Sequence, residues 1–253
     1  MRIDFLGTGT SFGVPILGCE CSVCKSSDIH NKRMRASVLI EKGDTRILVD
    51  CGPDFRQQML SRSFSKIDAV FITHTHYDHV GGIDDLRPFC RFGEINIYSD
   101  NNSAATLRQT MPYCFCEHLY PGVPHIAVNV LEPHKSLVIG DITITPIEVM
   151  HGKLKILGYR FDDFLYITDM KTIDDREFDY LSGVKVLVVN ALRFSPQHHS
   201  HMTVDEALAF ARRVGAKHTY FTHVCHGIGL HDEVNSMLPD GISLAYDGEV
   251  IEI

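Results

Sequence analysis

No apolar run in the sequence reaches the roughly 18 residues that a membrane-spanning helix needs. The opening residues, MRIDFLGTGT, read as a strand and a glycine-rich turn. They lack the long apolar segment of an export signal, so a cytoplasmic chain is expected. A basic surplus is missing as well. The formal charge is −8, and Lys and Arg are scattered rather than gathered into the face with which nucleic-acid binders neutralise phosphates. No repeat, low-complexity tract or Pro-rich linker interrupts the chain, so residues 1–253 are read as one domain. The 44% of hydrophobic residues suffices for a substantial core.

Fifteen histidines and eight cysteines stand out against these absences. The cysteines lie at 19, 21, 24, 51, 90, 114, 116 and 225. In a reducing compartment they read as metal ligands and buried thiols rather than as a disulfide framework. The histidines cluster, most densely in THTHYDHVGG at 73–82, directly after the apolar run 67–72.

Strands are expected at 2–6, 37–41, 46–49, 69–73, 95–98, 127–131 and 142–148, then at 157–161, 164–168, 184–190, 218–222 and 249–253. EKGDT at 41–45 reads as a hairpin turn. Helices are expected at 54–62, 84–91, 102–110, 174–181, 203–214 and 230–237; Thr203 and Glu206 form a capping box, and Gly215 stops that helix. Strand meanders with interspersed helices suggest two packed sheets with helices outside.

Several expected strands end on a metal-binding residue type: VFITH at His74, IEVMH at His151, LYITD at Asp169, YFTH at His223 and ILVD at Asp50. Any one of these alone is more often a hydrogen-bonded turn residue. The dense loop at 74–79 changes that reading. Near-extended backbone aims His74 and His76 the same way, and Asp78 and His79 in the following turn face a neighbouring point. Gly81 and Gly82 let the backbone turn closely behind them. Four donors this close in sequence rarely surround one ion, so the loop is read as giving two ligands to each of two ions. His151, Asp169 and His223 are the natural suppliers of the rest, and the two oxygens of Asp169 suit it to bridge.

The form H-x-H-x-D-H of THTHYDH, followed in order by a later His, Asp and His, resembles the metallo-β-lactamase superfamily over essentially the whole chain. The resemblance implies an α/β fold, a four-layer αβ/βα sandwich with a dinuclear metal site at one edge of the sheets. It implies one metal on His74, His76, His151 and Asp169, a second on Asp78, His79, Asp169 and His223, and a supporting place for Asp50 of VDCGPD. The oxygen-reducing relatives carry Glu where this chain has His76, so a hydrolytic centre is expected. The secreted lactam-hydrolysing members carry an export signal that is missing here.

GCECSVCK puts Cys19, Cys21 and Cys24 in a loop at about 17–26; three thiolates at this spacing suit tetrahedral zinc and need a fourth ligand. His226 of THVCH, three residues after His223, is the attractive partner. Cys225 competes with it, while Cys114 and Cys116 read as core residues. In NALRFSPQHHSHMT three histidines precede the capped helix. Imidazole titrates near neutrality, so one placed beside the metals could protonate a leaving oxygen. His201 is the choice; His198 and His199 read as solvated neighbours, and which ring reaches the substrate stays open.

Cys-x-Cys-x-x-Cys, DCGPDFR, GIDDLRPF, HxSH and THxxH together resemble the subgroup of the phosphoribosyl cyclic phosphate phosphodiesterase of phosphonate degradation. More distantly they resemble the nucleases that trim the 3′ end of transfer RNA, but no insertion matches the long arm with which those hold RNA. The resemblance implies a structural zinc on Cys19, Cys21, Cys24 and His226, and a catalytic set of His201, Asp78 and Asp169. The expected function is a metal-dependent phosphodiesterase acting on a small, cyclic or nucleotide-like diester through a hydroxide held between two divalent ions: zinc, manganese or iron. Arg87 and Arg193 are candidates for gripping a second phosphate. The alternatives are a 3′-processing or other nuclease and a non-catalytic binding member, against which the complete ligand set argues. No membrane partner is expected, nucleic acid is disfavoured, and a homodimer is allowed.

Overall fold

The structure, a computed structural model, describes residues 1–115 and 122–253, so Cys116 lies outside the described residues. Its strands are β1 (Arg2–Gly7), β2 (Ser37–Lys42), β3 (Thr45–Val49), β4 (Ala69–Phe71), β5 (Ile95–Ser99), β6 (Ile126–Val130) and β7 (Leu137–Ile139). They continue as β8 (Ile142–His151), β9 (Leu154–Phe161), β10 (Phe164–Ile167), β11 (Val186–Asn190), β12 (His218–Thr222), β13 (Ile242–Leu244) and β14 (Val250–Glu252). The helices are α1 (Ser22–Lys25), α2 (Phe55–Met59), α3 (Tyr77–Val80), α4 (Asn101–Thr110), α5 (Phe178–Leu181), α6 (Val204–Val214) and α7 (His231–Met237). The strands form two seven-stranded sheets, ordered β14-β1-β2-β3-β4-β5-β6 and β13-β12-β11-β10-β9-β8-β7.

Strand alternation sorts the apolar side chains into three cores. In β2 and β3, Val38, Ile40, Ile47 and Val49 face the second sheet, and Leu39 and Leu48 face the other way. In β10 and β11, Phe164, Tyr166, Val186 and Val188 meet them, while Leu165, Ile167, Leu187 and Val189 face outward. One outer core is closed by Phe55 and Met59 of α2, Leu107 of α4 and Leu86 of a 3₁₀ run over Ile83–Phe92. The other is closed by Leu181 of α5, Phe210 of α6 and Val234 of α7. Helices, sheet, sheet and helices therefore make the four layers that the resemblance implies. Strands buried on both faces explain why so many read as unbroken apolar runs.

The hairpin forms as expected, with Lys42 paired to Thr45 across Gly43, whose φ is +56°. The α6 capping box on Thr203 and Glu206 is present, and Gly215 ends the helix in the left-handed region. Two expected helices change character. Residues 84–91 lie within the 3₁₀ run, which holds Pro88, and 174–181 divides into 3₁₀ Asp175–Glu177 and the short α5. The edge strands β7 and β13 were not anticipated; at three residues each, neither shows a readable period. β8 runs past the expected 148 to His151.

Parallel pairing of β3 with β4, of β10 with β11 and of β11 with β12 brings their C-terminal ends to one edge. Among the described residues no helix is long and apolar enough to cross a membrane.

Candidate metal centre

Three residues of the site sit just beyond parallel strands, and all three hold left-handed backbone: Asp50 after β3 (φ 60°), Asp169 after β10 (φ 57°) and His223 after β12 (φ 53°). Such a conformation costs roughly 1–3 kcal/mol in a residue other than glycine and persists where surrounding structure enforces it. His151 ends β8. The loop that follows β4 carries His74, then His76 as the extended residue that opens α3, and α3 itself carries Asp78 and His79. This loop is docked on the turn after β3: Cys51 N–H donates to His79 O (2.8 Å), and Gly82 N–H donates to Cys51 O (2.9 Å). A Cβ on Gly52 would stand 2.1 Å from Asp78 O, and one on Gly82 would stand 2.0 Å from Gly52 O, so glycine is required at both.

The donors converge in two groups. His74, His76 and His151 form one, Asp78, His79 and His223 form another, and Asp169 joins His74 and His79 between them, with the ligand atoms of each group within 4.8 Å of one another. The resemblance divides these same residues between two ions, with Asp169 on both. His79 Nε2 lies 3.3 Å from both Asp78 Oδ2 and Asp169 Oδ2, yet this buried nitrogen makes no hydrogen bond. His223 Nε2 lies 3.5 Å from Asp78 Oδ2 and 3.3 Å from Asp169 Oδ1. A tetrahedral ion with ligands at about 2.0–2.1 Å spaces those ligands roughly 3.3 Å apart. The donor set therefore fits divalent cations.

In His79, His151 and His74 the second ring nitrogen is tied down, which decides the one that faces the centre. His79 Nδ1–H donates to Asp50 Oδ2 (2.7 Å), and His151 Nδ1–H donates to the carbonyls of Asp169 (2.7 Å) and Ser200 (3.0 Å). His74 Nδ1 lies 3.1 Å from Thr73 Oγ1, which itself donates to Asp50 Oδ2 (2.9 Å). One fully buried carboxylate, Asp50, thus orients an imidazole in each group. Thr73 escaped the sequence reading, although it stands inside THTH. Burial and the neighbouring histidines push His74 well below the ordinary imidazole value, which keeps it in the neutral, cation-binding form. Burial works against ionising Asp169, but the His223 and His79 rings outweigh it and hold that carboxyl well below its usual range.

The sequence reading set His201 beside the metals but outside both ligand sets, and the structure places it against Asp169. Its Nε2 lies 2.9 Å from Asp169 Oδ1, and its Nδ1 lies 3.0 Å from His198 Nδ1 and 3.1 Å from Ser200 Oγ. Burial lowers its pKa to about 4, partly offset by Asp169, so neutrality of the ring rather than ordinary basicity describes it near pH 7. His199 is exposed and packs its ring 4.4 Å from that of His198. Arg87 donates to Asp84 Oδ1 (2.7 Å) and Arg193 Nε donates to Pro196 O (3.0 Å), so both have local partners.

The cysteine loop assembles as the spacing suggests. His226 Nδ1 lies 3.3 Å from Cys19 Sγ, 3.3 Å from Cys21 Sγ and 3.5 Å from Cys24 Sγ, close to the roughly 3.5 Å expected between nitrogen and sulfur on one tetrahedral zinc. The Cys24 N–H donates to Cys21 Sγ and, with His226 nearby, lowers that thiol to about 6. Cys225 is buried outside this group, and Cys114 lies in the outer core.

Comparison with known proteins agrees with this architecture. The model of the family described as "Beta-lactamase superfamily domain" matches residues 45–224. The chain is 41% identical over 249 residues to an octanoyltransferase of Porphyromonas gingivalis, covering 98% of this chain and 51% of that protein, so it spans about half the relative's length. A crystal structure described as a new diphosphatase from the PhnP family superposes with a TM-score of 0.91 at 38% identity, over 99% of this chain and 97% of that one. The zinc-bound PqqB of Methylobacterium extorquens shares the fold, with a TM-score of 0.83 at 17% identity over 100% of both chains. With the sandwich, the edge donors and these matches together, the chain belongs to the metallo-β-lactamase superfamily.

Proposed function

We propose that the chain is a metal-dependent hydrolase of a small phosphodiester, cyclic, phosphoribosyl- or nucleotide-like. His74, His76, His151 and Asp169 hold one divalent ion, and Asp78, His79, Asp169 and His223 hold the other. The observation that carries this reading is the buried His79 Nε2, 3.3 Å from two carboxylate oxygens and hydrogen-bonded to neither. Zinc, manganese and iron(II) all suit such nitrogen and oxygen donors. When bound, the ions supply positive charge that offsets charge developing on phosphorus-bound oxygens and raises the acidity of water.

The chain's residues do the rest. Asp50 holds the His79 and His74 rings in the required orientation, and the turn at Gly52 and Gly82 keeps the loop in place. His201 Nε2 meets Asp169, and its Nδ1 lies 3.0 Å from His198 Nδ1, a spacing that needs a proton on one of the two nitrogens; the His198–His201 pair is the proposed source of the proton for a leaving oxygen. His198 thus shares a role that the sequence reading centred on His201. The likeness to a PhnP-family diphosphatase supports scission at phosphorus. Arg87 and Arg193, each with a local partner, are the candidates for gripping a second phosphate. The Cys3His group holds a structural zinc, for which a reducing cytoplasm is the suitable setting.

The test is hydrolysis of bis(p-nitrophenyl) phosphate with added manganese, followed by a sugar cyclic phosphate and a precursor transfer RNA. Chelator-sensitive turnover of both small diesters without RNA trimming is expected. Trimming of the RNA at a comparable rate would make the protein a nuclease. Metal binding without hydrolysis of any of the three would leave it a binding protein.

A further inference from the structure

Each left-handed strand end obliges the next residue to place its N–H. After Asp50, Cys51 N–H donates to the main-chain carbonyl of His79 (2.8 Å); after His223, Val224 N–H donates to that of Thr8 (3.1 Å). After Asp169 the partner is a side chain. Met170 N–H donates to Asn190 Oδ1 (2.8 Å), and Asn190 Nδ2–H donates back to Met170 O (3.0 Å). That same carbonyl accepts from Met202 N–H (3.1 Å), the residue directly after His201. Asn190 is fully buried and is the last residue of β11. No other side-chain type of this size offers a donor and an acceptor in one plane, which the two polar groups of Met170 require.

We propose that Asn190 is a positioning residue for the candidate metal centre. Its amide holds the backbone turn that sets the Asp169 carboxylate between the two donor groups. Through the shared Met170 carbonyl it also holds the His201 segment where His201 meets Asp169. Asn190 does the work that a neighbouring main chain does at Asp50 and His223, beside Thr168 Oγ1, which donates to Asp169 Oδ2 (2.7 Å). The carboxylate has little freedom to spare: Oδ2 faces His79, while Oδ1 faces both His223 and His201 at 3.3 and 2.9 Å. The assignment rests on the reading of Asp169 as a ligand shared by two ions.

The test is a zinc titration in competition with a chromophoric chelator, on the wild type, N190A and N190D, with melting of the metal-free proteins alongside. N190A removes both hydrogen bonds. N190D keeps the shape and the acceptor but sets an oxygen against Met170 O. Both variants are expected to weaken binding at the edge centre by roughly 10–100-fold, the usual effect of removing a group that orients metal ligands. The sulfur-held ion should be unaffected, and kcat on the small diester should fall more than KM rises. A purely structural role would lower the melting temperature of the metal-free variants and leave the edge affinities unchanged, which overturns the proposal. If N190A fails to fold, N190D decides by the same affinities. A wild type that binds only the sulfur-held ion would overturn the dinuclear reading and this assignment together, whereas unchanged affinity confined to the variants overturns this assignment alone.

Discussion

Two donor clusters share this molecule, separated only by the step from His223 to His226, and they are built in opposite ways. The cysteine cluster takes three of its four donors from 19–24, and Cys19, Cys21 and His226 are all partly exposed. It rests on a small apolar group of Val14, Val23 and Cys24 with a few partly buried neighbours. The edge cluster draws its donors from 74 to 223, and all of them except His76 are buried. Its rings are held from behind by Asp50, Thr73 and main-chain carbonyls. A site mounted on strand ends is organised by the fold before any ion arrives. A site mounted on a short loop needs its ion to order that loop, and binding energy there becomes folding energy.

The largest expected effect comes from removing the residue that joins the two halves of the edge cluster. Asp169→Ala should lower the metal content from about three ions per chain to about one, and abolish diester turnover, because on the proposed reading both edge ions would lose the carboxylate they share. Elemental analysis checks this, with His74→Ala as the comparison, expected to weaken chiefly one ion. Equal single-ion losses in both variants would show that Asp169 is not shared.

His201→Ala tests whether the edge cluster does more than hold metal. Its ions should stay, and turnover should fall about 10²–10⁴-fold, the usual range for an acid–base group. The loss should be large for a sugar alkoxide leaving group and smaller for p-nitrophenolate, which barely needs a proton. His198→Ala should follow the same pattern more weakly. If His201→Ala strips an ion, that ring is a ligand.

Cys19→Ser addresses the other side of the comparison. It should release the sulfur-held zinc and lower the melting temperature by roughly 5–10 °C, equivalent to about 2–3 kcal/mol in a chain of this size, while the edge pair stays bound. Loss of every metal from a folded variant would show that the two clusters are not independent.

The smallest effect concerns the support that both clusters share. Val224, between them, donates to Thr8 O, and Thr8 Oγ1 donates to Asp247 Oδ1 (2.7 Å). Burial raises Asp247 from an ordinary 3.8 to about 6, so the folded chain binds its proton more tightly than the unfolded chain does. That contribution is fully present below the unfolded value and is lost as pH rises through about 6. Melting of the metal-free wild type relative to D247N should therefore fall between about pH 4 and pH 6 and level off above. A flat difference would remove Asp247 from this account.

Much of this was legible along the chain because local periodicity and ligand spacing are local properties. Thr203, Glu206 and Gly215 bounded α6 correctly, and Lys42 to Thr45 formed the expected hairpin. The three-residue edge strands β7 and β13 were not legible, since they exist only by pairing with longer neighbours. Asn190 was passed over for a related reason. An asparagine at a strand end is common, and its importance comes from facing Met170, twenty residues earlier, across a parallel pair of strands.

The sequence by itself determined the kinds of donor available, their order, and the crowding of four of them into 74–79. Those follow from side-chain chemistry and need no contact to be known. Only the tertiary structure decided which nitrogen His79 and His151 turn to the centre, and that His201 rests directly against Asp169. An imidazole offers two nearly equivalent nitrogens, and the choice between them falls to whichever partner holds the other. For His79 and His151 those partners are Asp50, Asp169 and Ser200, between 18 and 49 residues away, brought into reach only when the sheets close.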